Sequence, residues 1–174
     1  DLGTSAVQVL SIEKERAIGD VMMMQIRGTT NVAQDPVLDE YLTSMGNRLV
    51  AHADDVRFPI EFFWVNNKNI NAFAFYGGHI GVHTGLIMHA DNESQFASVI
   101  GHEIAHVTQR HLARRIQQAK DNQGLTLAAM IAGILTTMVA PDAGMAILTA
   151  SQTQAQLSQL THSRGAEQEA DRVG

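Results

Sequence analysis

The 174-residue chain contains no cysteine, so it can form no disulfide bond and no thiolate metal site. Both cytosolic and exported proteins can lack cysteine, so the compartment stays open. The chain also lacks a long run of lysine and arginine, and its formal net charge is -6. Both features argue against a nucleic-acid-binding surface. With 45% apolar and 17% charged residues, the composition is that of a globular domain rather than a disordered segment.

A targeting segment is also missing from the N-terminus. The chain begins with Asp1 rather than Met, and no charged segment followed by an apolar one opens it. We therefore expect a mature or trimmed protein from which any targeting segment has been removed. The C-terminal run EQEADRVG has the pattern of an unfinished helix, so we expect the natural protein to continue beyond Gly174.

No hydrophobic run is long enough for a membrane span. The most apolar region covers residues 125–150 and is interrupted at Pro141. Its uncharged first part, residues 125–140, is shorter than the roughly twenty residues that a transmembrane helix needs. The pattern predicts a buried helical hairpin. The alternative is a mobile apolar flap that covers a functional site or contacts a membrane or a partner.

Cap residues and apolar spacing predict three helices. Ser11 begins the first, whose methionine run we interpret as core filling, and Asp35, before a proline, begins the second. Asp91 or Asn92 begins a long third helix, expected to extend to Lys120. The apolar positions at helical spacing are Ile18, Val21, Met22 and Ile26 in the first helix, Leu38, Tyr41, Leu42, Met45 and Leu49 in the second, and Phe96, Ile100, Ile104 and Val107 in the third.

Two segments have the composition of β-strands. FPIEFFWVNN predicts a buried strand, and NAFAFYGGHIGVHTGLIM predicts two short strands joined by a tight turn at Tyr76-Gly77-Gly78. The run from Gly78 to Leu86, or the half before the turn, is expected to form a sheet edge that is open to pairing with a peptide. His79 and His83 are then interpreted as polar residues of that edge strand rather than as additional metal ligands.

The third helix carries the pattern HExxH. His102 and His106 are four positions apart, so they project from one helix face and can both reach a metal at the roughly 2.0–2.1 Å of zinc–nitrogen bonds. Glu103 is offset from that pair and can reach a water held by the metal, which suits a general base. A solvated polar face without a metal remains the alternative at this point.

The third ligand does not follow the metzincin pattern, because Gln109 and Leu112 occupy the positions where that pattern has glycine and histidine. His111 is one position short of that ligand. We expect it to point elsewhere, as a surface or core histidine.

A second helix near the C-terminus offers a carboxylate ligand. Glu167 could complete a two-histidine, one-glutamate site and leave a fourth position for water. Asp171, one helical turn further on, could accept a hydrogen bond from a ligand imidazole. The alternative for this stretch is an acidic first turn that stabilises a helix N-terminus.

Three motifs together resemble the gluzincin peptidases, the family that includes HtpX and the CAAX prenyl endopeptidases. They are HEIAH at 102–106, EQEAD at 167–171 and NAFAFYGGHIGVHTGLI at 71–87. With DPVLDEYLTSMGNRLVAHA and DNESQFASVIGHEIAHVTQRHLAR, the resemblance extends over nearly the whole chain. It is strongest to the periplasmic members of the family in Gram-negative bacteria, which continue into a tetratricopeptide-repeat domain.

The resemblance implies a mostly helical α+β fold with a small β-sheet and the HExxH helix, in a single metallopeptidase domain over residues 1–174. It implies one zinc ion per chain held by His102, His106 and Glu167, with Glu103 as catalytic base and Asp171 as hydrogen-bond partner of a ligand. The residues expected to contact a bound peptide are Asn71, Ala72, Phe73, Gly78, His79, Ile80, Gly81 and Val82.

We therefore interpret the sequence as a zinc-dependent endopeptidase of the bacterial periplasm that cleaves misassembled or unfolded outer-membrane proteins through a zinc-bound water activated by Glu103. By resemblance, its partner is the outer-membrane assembly machinery, and association with the outer membrane is left open. The alternative is an assembly chaperone or scaffold whose zinc site is latent or structural.

Overall fold

The computed structural model of the chain describes residues 11–111, 114 and 170–172. The apolar region 125–150 lies outside these residues, so neither the hairpin nor the flap is tested. The described part combines helices with one small sheet, as expected for an α+β protein. Its elements are α1 (Ile12–Thr29), β1 (Val32–Ala33), α2 (Pro36–Val50), β2 (Glu61–Val65), β3 (Ala72–Phe75), β4 (His79–His83), α3 (Thr84–His89) and α4 (Glu93–Thr108).

The predicted helix starts are confirmed by their capping hydrogen bonds. The Ser11 hydroxyl accepts from the backbone N–H three residues on, at 3.3 Å. The Asp35 carboxylate accepts from the first two free N–H groups of α2, at 2.9 and 3.2 Å. The Asn92 side chain accepts at 2.9 Å in the same way at α4. Each cap satisfies N–H groups that have no partner within the helix, so it fixes where the helix begins.

The methionine run of α1 is partly core, as predicted. Met22 and Met23 are buried together with Ile26, whereas Met24 is exposed. Val21, expected on the buried stripe, is 52% exposed. The buried face of α1 therefore shares Met22 and Ile26 with the predicted stripe but includes Gly19 and Met23 in place of Ile18 and Val21.

The sheet has the strand order β1-β2-β4-β3. β2 pairs in parallel with β4, while β1–β2 and β3–β4 are antiparallel. β4 is thus a central strand with all five residues buried. The expectation that Gly78–Leu86 forms the sheet edge is wrong, and of the two halves of the hairpin it is β3, before the turn, that forms the edge. The last part of the run, from Thr84 on, is helical (α3) rather than extended.

The turn between β3 and β4 confirms the predicted tight connection. Gly77 and Gly78 have φ angles of 76° and 82°, in a region that residues with a Cβ rarely adopt. α1 crosses directly over this turn at Gly19, where an added Cβ would overlap the carbonyl oxygen of Tyr76. Glycine at positions 19 and 77 lets the helix and the turn approach each other, whereas Gly78 lies against Pro59 and Phe58.

α4 is held by the apolar face that the sequence predicted. Phe96, Ile100, Ile104 and Val107 are all buried in the main core cluster. The Phe96 ring stacks on Trp64 of β2 at a centroid distance of 5.9 Å. With this face in the core, the opposite face of α4 carries the HExxH side chains. None of the helices in the described ranges has the length and apolar character that crossing a bilayer requires.

α4 ends earlier than predicted. The helix stops at Thr108, and Arg110 has a φ of 50°, which is uncommon for a residue other than glycine. The expectation of one continuous helix to Lys120 is therefore wrong at Gln109–Arg110. The chain changes direction there, directly after the HExxH segment and before His111.

Candidate metal and catalytic site

The two histidines of HExxH converge on one point. His102 and His106 lie on α4, and their Nε2 atoms are 3.0 Å apart. Two nitrogen ligands of a tetrahedral zinc ion lie about 3.3 Å apart, given Zn–N distances of roughly 2.0–2.1 Å. The observed separation is within a few tenths of an ångström of that value, so the pair fits two ligands of one ion.

The orientation of His102 is fixed by a carboxylate from the helical residues 170–172 near the C-terminus. Its Nδ1 lies 2.8 Å from Oδ1 of Asp171. Because a carboxylate only accepts, Nδ1–H donates and the Nε2 atom keeps its lone pair for a metal. The segment is fixed at this place by Ala170, which is completely buried. The structure thus brings Asp171 to the His102 imidazole, the contact that the sequence suggested for it.

The remaining members of the predicted site are less completely defined. Glu103 follows His102 on α4 and is partly buried. Glu167 lies outside the described residues, so its position as third ligand is untested. Within the described residues, no group of three or more His, Asp or Glu side chains is placed to hold a metal ion. His102 and His106 are the two potential ligands that the described residues supply.

His111 contacts the site, although it was expected to point elsewhere. It is buried, and its Nδ1 lies 2.8 Å from Nδ1 of His106. In a regular helix, residues five positions apart are separated by about 140° and would not meet in this way. The change of direction at Arg110 brings His111 back. Neither Gln109 nor Arg110 is a glycine or asparagine, the residues that most clearly mark a helix end, so the sequence gave little indication of this contact.

Arg110 itself is anchored to α1. Its Nη2 and Nε atoms lie 2.6 and 3.0 Å from Oε2 of Glu15, and both side chains are largely buried. Burial raises the pKa of Glu15, and the hydrogen bond and charge of Arg110 lower it in part. Burial also raises the pKa of Tyr76, with a further contribution from the nearby Glu15. α1 is therefore connected by a buried ion pair to the turn that follows α4.

The edge strand β3 lies against α4, and within the described residues no further strand pairs with its outer side. The His83 N–H donates to the Asn71 carbonyl at 3.0 Å, which makes Asn71 and His83 a hydrogen-bonded antiparallel pair. Since such pairs alternate with non-bonded ones, Phe73 and Phe75 also bond toward β4. The N–H and C=O groups of Ala72 and Ala74 then point to the outer edge. Of these, the sequence analysis had named Ala72 and missed Ala74.

The predicted peptide-contacting residues of β4 are in the interior. Ile80 and Val82 are completely buried, and the backbone of β4, Gly81 included, pairs with β2 on one side and β3 on the other. As a central strand it has no free edge to offer a peptide. Of the eight residues expected to contact a peptide, Asn71, Ala72 and Phe73 lie in or next to β3, and of these three only Ala72 points its backbone groups to the outer edge.

The interpretation of His79 and His83 as polar edge residues is also wrong. Both are buried, at 3% and 6% exposure. The His79 ring stacks on Phe75 at 5.1 Å and lies between Asp20 and Glu61, each 3.3 Å from one of its nitrogens. Burial lowers the pKa of His83. Both histidines therefore belong to the packed interior of the sheet rather than to its edge.

An open cleft of about 340 Å³ borders the site on the α4 side. It is lined by Ser98, Val99, His102 and Asp171. Ser98 and Val99 precede His102 by one turn, so the cleft runs along α4 and reaches the His102 imidazole. A chain lying along α4 could therefore approach the point on which the two Nε2 atoms converge.

The helical HExxH segment, the converging imidazoles and the carboxylate that orients one of them define a metallopeptidase-type site. Residues 36–174 match the profile of peptidase family M48. The chain belongs to peptidase family M48. This membership makes it a metallopeptidase by class, and it confirms the resemblance on which the sequence interpretation relied.

The chain is similar over its whole length to proteins named beta-barrel assembly-enhancing protease. It is 48% identical to the one from Yersinia pestis and 46% identical to the one from Escherichia coli K12, over 174 residues in both cases. It is 31% identical over 137 residues to the metalloprotease LoiP of Escherichia coli, covering 75% of this chain and 52% of LoiP. The chain spans 36% of the length of the two beta-barrel assembly-enhancing proteases.

Proposed function

We propose that this chain is a zinc-dependent endopeptidase of the bacterial periplasm that hydrolyses peptide bonds in misassembled or unfolded outer-membrane proteins. The observation that carries the proposal is the 3.0 Å approach of the His102 and His106 Nε2 atoms, with Nδ1 of His102 bonded to Asp171. Imidazole is a ligand that suits zinc, and a carboxylate behind a ligand imidazole is the usual support of such sites. Glu167 is the proposed third ligand.

A bound zinc ion would supply Lewis-acid chemistry, polarising the scissile carbonyl and making water acidic enough to react near neutral pH. His102 and His106 hold that ion, and Asp171 keeps the His102 ring in the orientation for binding. Glu103, on the same helix but offset by about 100°, accepts the proton that the attacking water loses and passes it to the leaving amine.

Substrate specificity is proposed to rest on backbone pairing. An extended peptide would add a strand to the outer edge of β3, next to α4. Such pairing recognises the backbone of the peptide and depends little on its side chains. It therefore suits a protease whose substrates share exposed, unpaired β-strands. The names of the two relatives make β-barrel proteins the proposed substrate class and the outer-membrane assembly machinery the proposed partner.

The test is cleavage of a urea-unfolded β-barrel protein by the purified chain. We expect about one zinc per chain, cleavage that stops when a chelator removes the metal, and recovery when zinc is returned. A non-chelating isomer of the same compound is the control, because it should leave cleavage intact. Metal-independent cleavage would overturn the proposal. Bound zinc without any cleavage would favour the chaperone or scaffold alternative.

The proposed pairing at β3 makes a second prediction. Ala74→Pro removes an N–H group that points away from the sheet, so it should cost one substrate hydrogen bond without breaking the β3–β4 ladder. One such bond contributes about 1 kcal/mol, so we expect the KM for a protein substrate to rise roughly fivefold with kcat little changed. Ala74→Val, which adds bulk but keeps the N–H, is the matched control. Equal KM values for the proline and valine variants would contradict pairing at this edge.

A further inference from the structure

The contact between His111 and His106 extends the site beyond its predicted members. The two Nδ1 atoms are 2.8 Å apart, and the rings meet edge to face at a centroid distance of 4.9 Å and an angle of 76°. Together with the 3.0 Å contact of His106 to His102 and the 2.8 Å contact of His102 to Asp171, it forms one connected line of side chains. In this line of four side chains, His106 lies between His111 and His102.

The position of His111 is built into the fold rather than incidental. Arg110, immediately before it, has a φ of 50°, a strained conformation for a residue with a side chain. The Arg110 guanidinium is held by Glu15 of α1, 95 positions away in the chain. A buried ion pair thus supports the turn that returns His111 to the ligand helix. His111 is itself only 3% exposed.

The chemistry of neutral imidazole indicates which nitrogen of this contact donates the hydrogen bond and which accepts it. A histidine that binds a metal through Nε2 carries its remaining proton on Nδ1, and the partner of Nδ1 decides which tautomer prevails. For His102 that partner is the carboxylate of Asp171. For His106 the nitrogen in the corresponding place is Nδ1 of His111. His106 can present its Nε2 lone pair to a metal if its Nδ1–H donates to His111 Nδ1, which then acts as acceptor.

We propose that His111 is a positioning residue: it accepts a hydrogen bond from Nδ1–H of His106 and thereby holds His106 in the tautomer and ring orientation that bind the metal. It does for the second ligand what Asp171 does for the first. His111 touches neither the substrate nor the reacting atoms. The inference rests on the proposed zinc site, and it adds a residue that the HExxH and ExxxD patterns do not include.

The test compares two replacements of His111 by zinc affinity, measured in competition with a chelator of known affinity. His111→Phe keeps the ring volume but cannot accept, so we expect zinc affinity to fall about 10–100-fold, the usual cost of losing such a partner. His111→Asn places an amide oxygen near the position of Nδ1 and should recover most of that loss. His52→Phe, in the exposed turn that follows α2, is the control and should change nothing. Wild-type affinity in His111→Phe, or equal losses in the Phe and Asn variants, would overturn the proposal.

A measurement on the unaltered protein covers the case in which the Phe variant does not fold. In the zinc-loaded protein, nitrogen NMR of the histidine rings should show the His106 proton on Nδ1 and a coupling across the hydrogen bond to His111 Nδ1. A His106 proton on Nδ1 without that coupling would refute the role of His111 while leaving the zinc site intact. If the protein binds no zinc at all, the proposed function fails first, so the two failures are distinguishable.

Discussion

Glu103→Gln is expected to reduce cleavage of an unfolded protein by about 10²–10⁴-fold while zinc stays bound at one ion per chain. Glutamine has nearly the same shape as glutamate but cannot take up the proton that the attacking water loses. His102 and His106 are unchanged. Asp171 contacts His102 through Nδ1, so the proposed metal-binding Nε2 atom is also unaffected. Metal binding and proton transfer should therefore separate in this variant.

The measurement pairs metal content with kcat/KM for the wild type and the variant. Glu93→Gln, which removes a charge from the exposed first turn of the same helix, is the matched control and should retain activity. His102→Ala completes the comparison, because it should lose zinc and cleavage together. A Glu103→Gln protein that cleaves like the wild type would remove Glu103 from the role of base.

Local signals in the sequence predicted most of the helical framework. Ser11, Asp35 and Asn92 each satisfy free backbone N–H groups, an interaction that depends only on residues within three positions. The apolar spacing of α4 likewise fixed which face lies in the core, and so which face shows His102 and His106. These features follow from short-range geometry, so a single sequence is sufficient to infer them.

The strand order could not be inferred in the same way, because it depends on long-range pairing. β4 pairs in parallel with β2, and β3 then takes the outer position. The alternation of His79 and His83 with apolar residues suggested a half-exposed strand. The structure buries both histidines, and His79 lies between the carboxylates of Asp20 and Glu61 rather than at an exposed edge.

The residues of the candidate site show the same difference between short-range signals and long-range contacts. His102, Glu103 and His106 were predicted from spacing alone, and Asp171 from its place one turn after Glu167. His111 was missed because its contact depends on the turn at Arg110, and that turn depends on a glutamate 95 positions earlier. When a distant partner imposes the conformation of a residue, the sequence around that residue does not reveal it.

Glu15→Gln is accordingly expected to have the largest effect on stability, at about 3–5 kcal/mol. The substitution leaves the Arg110 guanidinium buried without its opposing charge, in a residue whose backbone φ of 50° is already unfavourable. For a chain of this size, Tm should fall by on the order of 10 °C. The measurement is thermal and urea unfolding of the metal-free protein, so that loss of zinc does not contribute.

The matched control is the exposed ion pair between Arg48 and Glu93, whose side chains are 66% and 60% exposed at a separation of 3.4 Å. Glu93→Gln should cost no more than about 1 kcal/mol, because water already screens that pair.

A second measurement connects the buried pair to the site. If Glu15 and Arg110 hold the turn that presents His111, Glu15→Gln should also weaken zinc binding under conditions where the variant is still folded, whereas Glu93→Gln should not. Equal effects of the two variants on stability would mean that the buried pair does not support the end of the HExxH helix.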